Sequence, residues 1–240
     1  RVVDRRGLPR WSAIWAHNPR IATRDFRGEA VELRNGPGCR HYLAEARPDR
    51  FVFLAGAVTG PGEIWFDRPE REEAEALRAG RPYVVIEPHV DWRFGHTLNK
   101  DWGFERWQAV VSAMPGIRFV QVGPPGVRGL EGVERFESER FRRALVAMAG
   151  ASLYVGPEGG LHHAAAALGV RAVVVFGAFV SPSVTGYRSH RNIAVAHPGY
   201  PLGCGLRSAC RECRAAMESI TVGRVIREIE AALASPGVRG

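Results

Sequence analysis

Residues 153–177 read LYVGPEGGLHHAAAALGVRAVVVFG: an apolar run, a glycine turn, a short helix and a second apolar run in direct succession. Leu153-Tyr154-Val155 and Val173-Val174-Val175-Phe176 are short, unbroken and rich in β-branched residues, which reads as two buried strands. Between them, Gly156-Pro157-Glu158-Gly159-Gly160 forms a loop, and Leu161 to Leu168 a helix stopped by Gly169. The alanines Ala164 to Ala167 keep that helix thin, so its backbone can pack close to a sheet. Gly159 and Gly160 let a ligand approach the chain closely. The helix start offers free backbone N–H groups and the positive end of a dipole, a natural seat for a diphosphate. His162 and His163 are adjacent, so on a helix they point about 100° apart and cannot share one role.

The same alternation extends outward. Tyr83-Val84-Val85-Ile86 is a strand ending at Glu87-Pro88-His89, Phe104 to Met114 a helix, and Phe119-Val120-Gln121-Val122 a strand followed by Gly123-Pro124-Pro125-Gly126. Glu139 to Gly150 is a helix, and Val222 to Ala234 is amphipathic, with Val225, Ile226, Ile229 and Leu233 on one face. This is the rhythm of an α/β protein with a Rossmann-type parallel sheet. Ligands of such sheets bind beyond the carboxyl ends of the strands, here the loops 89–100, 123–126 and 156–160. The first 80 residues are less regular. They suggest a strand end at Arg1 to Asp4, a helix from Pro9 to Pro19, and a strand over Ala30 to Leu33 closed by the Asn35-Gly36-Pro37-Gly38 turn. Another strand is expected near Phe51 to Leu54 and a helix over Arg68 to Arg78. The expected division is a reduced N-terminal region over 1–80, a nucleotide-binding domain over 81–222 and a C-terminal helix over 223–240.

With 240 residues, 45% of them apolar, the chain can fill a sizeable core. No apolar run approaches the roughly 20 residues that span a bilayer, and the N-terminus lacks a basic-then-apolar leader. The net charge of +8 suits an acidic partner, though the basic residues are spread along the chain. Among 33 lysines and arginines, Lys100 is the single lysine. A compact ammonium on a flexible stem differs chemically from a guanidinium, which singles that position out. Four cysteines do not make a disulfide scaffold. Cys204, Cys210 and Cys213 cluster in a Cys-x5-Cys-x2-Cys spacing that can offer three thiolates to a structural zinc or iron, with His197, His190 or Cys39 as a fourth ligand. Free, buried cysteines are the alternative.

Four ordered elements resemble the heptosyltransferase family. Residues 158 to 169, Glu158-Gly159-Gly160-Leu161-His162-His163 and onward to Leu168-Gly169, look like the family's Asp-[Ser/Thr]-Gly-x-x-His-x-Ala-Ala-Ala-Leu-Gly signature. Val175-Phe176-Gly177 with Ser181-Pro182 resembles its Phe-Gly-Pro-Thr-x-Pro strand exit. Asn99-Lys100-Asp101-Trp102 with Arg106-Trp107 resembles its Lys-x-Trp-Pro-x-x-x-Trp element. The late cysteines with Met217-Glu218-Ser219-Ile220 resemble its Cys-Met-x-x-Ile stretch.

The resemblance, over roughly residues 83 to 234, implies a GT-B-like glycosyltransferase in which two Rossmann-like halves face each other and the C-terminal half holds a nucleotide-diphosphate sugar. It implies Lys100 and Glu158 as catalytic residues, and Thr97, Asn99, Lys100, Gly123, Glu158, Gly159, Gly160 and His163 as donor-binding residues, with no obligatory metal at the diphosphate. Glu158 stands where the family has aspartate, which carries the carboxylate about 1 Å further. The family's catalytic base lies in a first strand–loop–helix that would precede Arg1, so the acceptor side reads as shortened, with Asp4, Asp91 and Glu87 as unranked substitutes. The implied setting is cytoplasmic, at the inner-membrane surface, with an ADP-heptose-like donor and a lipopolysaccharide core sugar as acceptor. The basic chain also admits modified DNA as acceptor, or a non-catalytic nucleotide- or nucleic-acid-binding relative.

Overall fold

The computed structural model describes residues 1–4, 6–23, 25–34, 40–57, 60–90 and 95–235. The expected turn at 35–38, Cys39 and Asp91 lie outside the described residues. In the N-terminal region β1 (Val2–Val3) pairs in parallel with β2 (Leu33–Arg34), and β3 (Leu43–Ala46) pairs antiparallel with β4 (Phe51–Phe53). The helix expected from Pro9 to Pro19 is a single 3-10 turn, Ala13–Trp15, capped by the Ser12 hydroxyl. Between the two prolines there is too little chain to repay helix nucleation. The strand expected over Ala30 to Leu33 lies later, at Leu33–Arg34. Helix α1 (Arg68–Arg78) starts with a full capping box, in which Asp67 and Glu70 each accept the other's backbone N–H.

Beyond residue 80 the order is β5 (Val84–Ile86), 3-10 turns over Gly95–Lys100, α2 (Phe104–Ala113), β6 (Phe119–Gly123), β7 (Glu134–Glu137) and α3 (Phe141–Ala149). There follow β8 (Leu153–Pro157), α4 (Gly160–Ala167), β9 (Ala172–Gly177), α5 (Pro182–Thr185), β10 (His190–Ala194), α6 (Arg211–Ser219) and α7 (Val222–Ala234). Six strands form one sheet in the order β10-β9-β8-β5-β6-β7, with every pairing parallel. The chain begins in the middle at β5, builds outward to β7, then returns to β8 on the other side. That reversal is the topological switch point of a Rossmann-type sheet, where a crevice opens above the strand ends.

Both faces of the sheet are covered, which is why its strands are apolar throughout. Tyr83, Val85, Val122, Tyr154, Val174 and Phe176 pack toward Leu145 and Met148 of α3 and Leu161 and Ala165 of α4. Val84, Ile86, Phe119, Leu153, Val155 and Val175 pack toward Trp107 and Val110 of α2 and Val225 and Ile229 of α7. The two edge strands, β7 and β10, carry polar sequences and have no counterpart in the apolar pattern; an edge strand needs neither two buried faces nor an apolar run.

Two sutures join the N-terminal region to this layer. Arg142 of α3 bonds both oxygens of Glu70 at 2.6 Å and reaches the carbonyls of Trp65 (2.7 Å) and Ala13 (2.8 Å). The β3–β4 hairpin docks on the late loop through Phe51 N–H to Gly205 O (2.8 Å) and Arg207 N–H to Asp49 O (2.8 Å). The hairpin is thereby laid over the carboxyl ends of the central strands.

Candidate active site

At the switch point, β8 ends in Pro157 and delivers Glu158 into the crevice, its N–H bonded to Val175 O of the neighbouring strand (3.0 Å). Lys100, at the end of the 3-10 turns that follow β5, forms an ion pair and hydrogen bond with Glu158 Oε2. The two side chains are 15% and 5% exposed, so this is a buried pair. The Lys100 ammonium also lies 4.9 Å from the Phe179 ring centre, a cation–π contact. On the other oxygen of Glu158, His163 Nε2 is 3.7 Å away, while His163 Nδ1 meets the Tyr187 hydroxyl at 2.9 Å. Burial alone would raise the Glu158 carboxyl, but the Lys100 charge and the adjacent His163 outweigh it and hold the carboxyl at about 2. Burial pushes His163 below the ordinary imidazole range, with Glu158 pulling the other way.

Helix α4 begins immediately beyond, with Gly159 as N-cap and no side-chain cap on its first N–H groups. Those donors therefore point into the crevice without a side-chain partner, the arrangement that receives anions at helix starts. Gly160 faces the Phe141 ring, so a side chain there would press on it. His162 points the other way, fully buried against Phe176 and Tyr187 with neither ring nitrogen hydrogen-bonded. Burial drops its pKa to about 2, so it is a neutral core residue.

A cavity of about 40 Å³ sits on the Lys100–Glu158 pair, walled by Arg40, Tyr42, Phe53, Phe179 and Thr185 among others. That is far below the roughly 300 Å³ of a small-ligand pocket, so the hairpin covers the pair closely. Next to it a cavity of about 530 Å³ opens between the N-terminal region (Ile14, Trp15, Arg20, Ile64) and the α4 side (Gly160, His163, Ala164, Tyr187). His163 and Tyr187 thus stand between the buried pair and a space of ligand size.

The sequence-predicted residues divide accordingly. Lys100, Glu158, Gly159, Gly160 and His163 come together. Thr97 lies one turn ahead of Lys100, half-buried. Asn99 is buried with its amide committed to the late loop: Nδ2 donates to Leu206 O (3.1 Å) and Ser208 O (2.8 Å), and Oδ1 accepts from Cys210 N–H (2.8 Å). Gly123 ends β6, its carbonyl taken by Ser138 N–H (2.9 Å), and lines neither cavity. Arg40, Tyr42, Phe179 and Tyr187 carry no motif of their own, and only the tertiary contacts bring them to the site.

Of the candidate bases, Asp4 is engaged in a turn, accepting from Arg6 N–H (2.8 Å) and Leu8 N–H (3.0 Å). Glu87 follows β5 at the switch point and accepts from the Tyr154 hydroxyl at 2.6 Å. Burial raises its carboxyl to about 7 against the opposing effect of that hydrogen bond. The late cysteines converge as well. Cys204, Cys210, Cys213 and His197 each offer a donor atom within 4.8 Å of the others; His190 is not in this group. Glu158, His162 and His163 also lie that close, but there a cation would displace the ammonium of Lys100.

Fold and site together define a Rossmann-like α/β domain with a buried lysine–carboxylate pair at its switch point. No protein-family model and no curated protein matches the chain. Its fold is similar to that of E. coli ADP-heptose lipopolysaccharide heptosyltransferase II (TM-score 0.51, 18% identity, 71% of this chain and 53% of that one). It is equally similar to a glycosyltransferase family 9 protein from Veillonella parvula (0.51, 16%, 71% and 53%). A third similar structure is TibC of enterotoxigenic E. coli, described as an iron-containing dodecameric glycosyltransferase (0.50, 17%, 80% and 53%). The chain spans about half the length of these structures. Among the described residues no helix is long and apolar enough to cross a membrane.

Proposed function

We propose that the chain is the donor-binding part of a glycosyltransferase that uses a nucleotide-diphosphate sugar. The supporting observation is the chain's single lysine held on a buried carboxylate beside an uncapped helix start, at the switch point of a parallel sheet. In this reading Glu158 is the resting counter-ion of Lys100. An arriving diphosphate takes its place, bonded by the ammonium and by the first N–H groups of α4. Glu158 then keeps His163 as its neighbour, and protonation of that imidazole holds the carboxylate paired. As the bond from the anomeric carbon to the diphosphate oxygen breaks, negative charge grows on the leaving group, and Lys100 and the helix start stabilise it. No metal is needed at the diphosphate in this scheme.

The acceptor hydroxyl must lose a proton. Glu87, buried just beyond the end of β5 at the switch point and raised to about 7, is the described carboxyl whose environment suits that task. The finer reading is an ADP-heptose-like donor and an anionic acceptor such as a lipopolysaccharide core sugar, at the cytoplasmic face of the inner membrane. The similarity in fold to a lipopolysaccharide heptosyltransferase supports it.

Titration calorimetry with ADP and with ADP-sugars tests the proposal. The wild-type chain should bind, and Lys100→Ala should weaken the diphosphate by tenfold or more, the loss of a charge-assisted contact of about 1.5–3 kcal/mol. A wild-type chain that binds no nucleotide diphosphate at millimolar concentration sinks the reading. Binding without transfer to any sugar acceptor would leave a non-catalytic relative.

A further inference from the structure

Three cysteines and one histidine meet inside the molecule from three separate backbone segments. His197 lies in the turn after β10, Cys204 in the loop that crosses the end of β9, and Cys210 and Cys213 at the N-cap and first turn of α6. Cys204 Sγ is 3.0 Å from Cys213 Sγ, and Cys210 Sγ is 3.7 Å from His197 Nε2. Exposure is 1%, 5% and 0% for the three cysteines and 9% for the histidine, so water does not serve these donors. A buried cysteine usually acts as a small hydrophobe, content with apolar neighbours. That role gives no reason for three sulfurs and an imidazole to converge on one point. Four ligands at the bond lengths of a tetrahedral thiolate–imidazole site, about 2.3 Å to sulfur and 2.0 Å to nitrogen, stand about 3.5–3.8 Å apart. The sulfur–imidazole separation falls in that range, the Cys204–Cys213 separation is about half an ångström shorter, and all four donors lie within 4.8 Å of one another.

The surrounding backbone fixes the donors independently of any metal. Cys204 is flanked by Gly203 (φ +110°) and Gly205 (φ +61°), conformations that side chains rarely adopt. A Cβ on Gly203 would collide with Phe179 O, and one on Gly205 with Phe51 O. Cys204 N–H is bonded to Ala178 O at 3.2 Å and Gly205 N–H to Phe179 O at 3.1 Å. The Cys-x2-Cys pair rides on the first turn of a helix, where the dipole favours negative charge on sulfur.

We propose that His197, Cys204, Cys210 and Cys213 form a closed tetrahedral site for a thiophilic divalent cation, zinc or ferrous iron, and that this site holds the turn carrying Lys100. Loading releases three thiol protons and forms three metal–sulfur bonds and one metal–nitrogen bond, with no change of oxidation state. Coordination through His197 Nε2 puts the ring proton on Nδ1. The Gly199 N–H that now donates to Nδ1 at 3.1 Å is then released, as is the contact of Cys210 Sγ with Glu212 (3.3 Å). The four ligand positions leave no open coordination place, so the site is structural. Its mechanical link to the crevice is Asn99, bonded to Leu206 O, Ser208 O and Cys210 N–H between the ligand positions, and adjacent to Lys100. The link rests on the proposed role of Lys100; the metal site does not.

The test is elemental analysis of the full chain purified under reducing conditions and reconstituted separately with Zn(II), Fe(II) and Co(II). One equivalent per chain is expected, with tetrahedral d–d bands and sulfur-to-cobalt charge transfer in the cobalt form. Native content separates zinc from iron. Cys213→Ser should abolish stoichiometric binding, and the milder His197→Gln should weaken it at least tenfold while far-UV circular dichroism stays unchanged. Hydrogen exchange at residues 97–103 and 197–213 should rise when a chelator removes the metal, with no nucleotide present. No bound metal in any of the three reconstitutions overturns the site, as does a Cys204–Cys213 disulfide found by mass spectrometry in the reduced preparation. Exchange at 97–103 that is indifferent to metal removal overturns the link. Because none of these readouts involves a sugar nucleotide, their outcome is separate from that of the glycosyltransferase reading.

Discussion

Replacing Lys100 by Met keeps the length of the side chain and removes its charge, leaving Glu158 as a buried carboxylate without its main partner. Glu158 titrates at about 2 in the folded chain, against an ordinary 4.5. At about 1.4 kcal/mol per pH unit, that difference makes the ionised form worth about 3 kcal/mol of folding stability. The carboxyl is depressed, so this stability is present above pH 4.5 and is lost as pH falls toward 2. In Lys100→Met, burial becomes the dominant influence and raises the carboxyl above 4.5. The variant should therefore unfold about 3 kcal/mol more easily at pH 7, within the range seen when one partner of a buried pair is removed. The deficit should shrink steadily as pH falls from the variant's raised carboxyl value toward 2. Urea titrations at pH 7, 4.5 and 3, followed by tryptophan fluorescence and circular dichroism, read this directly. Lys100→Met/Glu158→Gln removes both charges and should recover most of the loss without recovering nucleotide-diphosphate binding. A Lys100→Met deficit under about 0.5 kcal/mol at pH 7, or one equal at pH 3 and pH 7, refutes the pairing energetics.

Glu87 titrates in the opposite direction: its carboxyl is raised to about 7, so the stability of its neutral form is present below 4.5 and lost as pH rises through 7. Glu87→Gln should flatten that decline, gaining about 3 kcal/mol relative to wild type at pH 8 and nothing at pH 4; equal denaturation profiles for the two proteins would contradict it. Arg142→Ala removes five hydrogen bonds joining α3 to Glu70, Trp65 and the 3-10 turn, with an arginine side chain only 11% exposed. It should cost about 3 kcal/mol and speed proteolysis within the first 80 residues before the rest of the chain. Tyr187→Phe deletes the hydroxyl that bonds His163 Nδ1 at 2.9 Å. Stability should fall by about 1 kcal/mol, and ADP affinity by several-fold if His163 supports the displaced Glu158; unchanged affinity by calorimetry would separate His163 from donor binding.

The closeness of the β3–β4 hairpin to the Lys100–Glu158 pair has a functional consequence. A space of about 40 Å³ cannot admit a diphosphate, whereas the adjoining 530 Å³ can hold a ligand of that size. On the proposed function, donor entry must therefore come from the α4 side, past His163 and Tyr187, or must lift the hairpin off the late loop.

Much of the sheet could be read along the chain, because burial on both faces writes an unbroken apolar run into β5, β6, β8 and β9. Helices α1 and α7 were equally legible, the first from its charged but periodic stretch and the second from its single apolar face. The glycine loop at 156–160 and the solitary Lys100 marked where chemistry would sit. The polar edge strands β7 and β10 were silent, since an edge strand is half solvent-facing and shares its composition with loops. Helix α6 was hidden by its cysteines, which read as a loop. Above all, no local pattern states that Lys100 meets a carboxylate 58 residues later, or that His197 and not His190 lies with the late cysteines. Sequence patterns record the environment of one element at a time. Which loops meet is set by strand order, and here the return of the chain to place β8 beside β5 brought Lys100, Glu158 and His163 to one point.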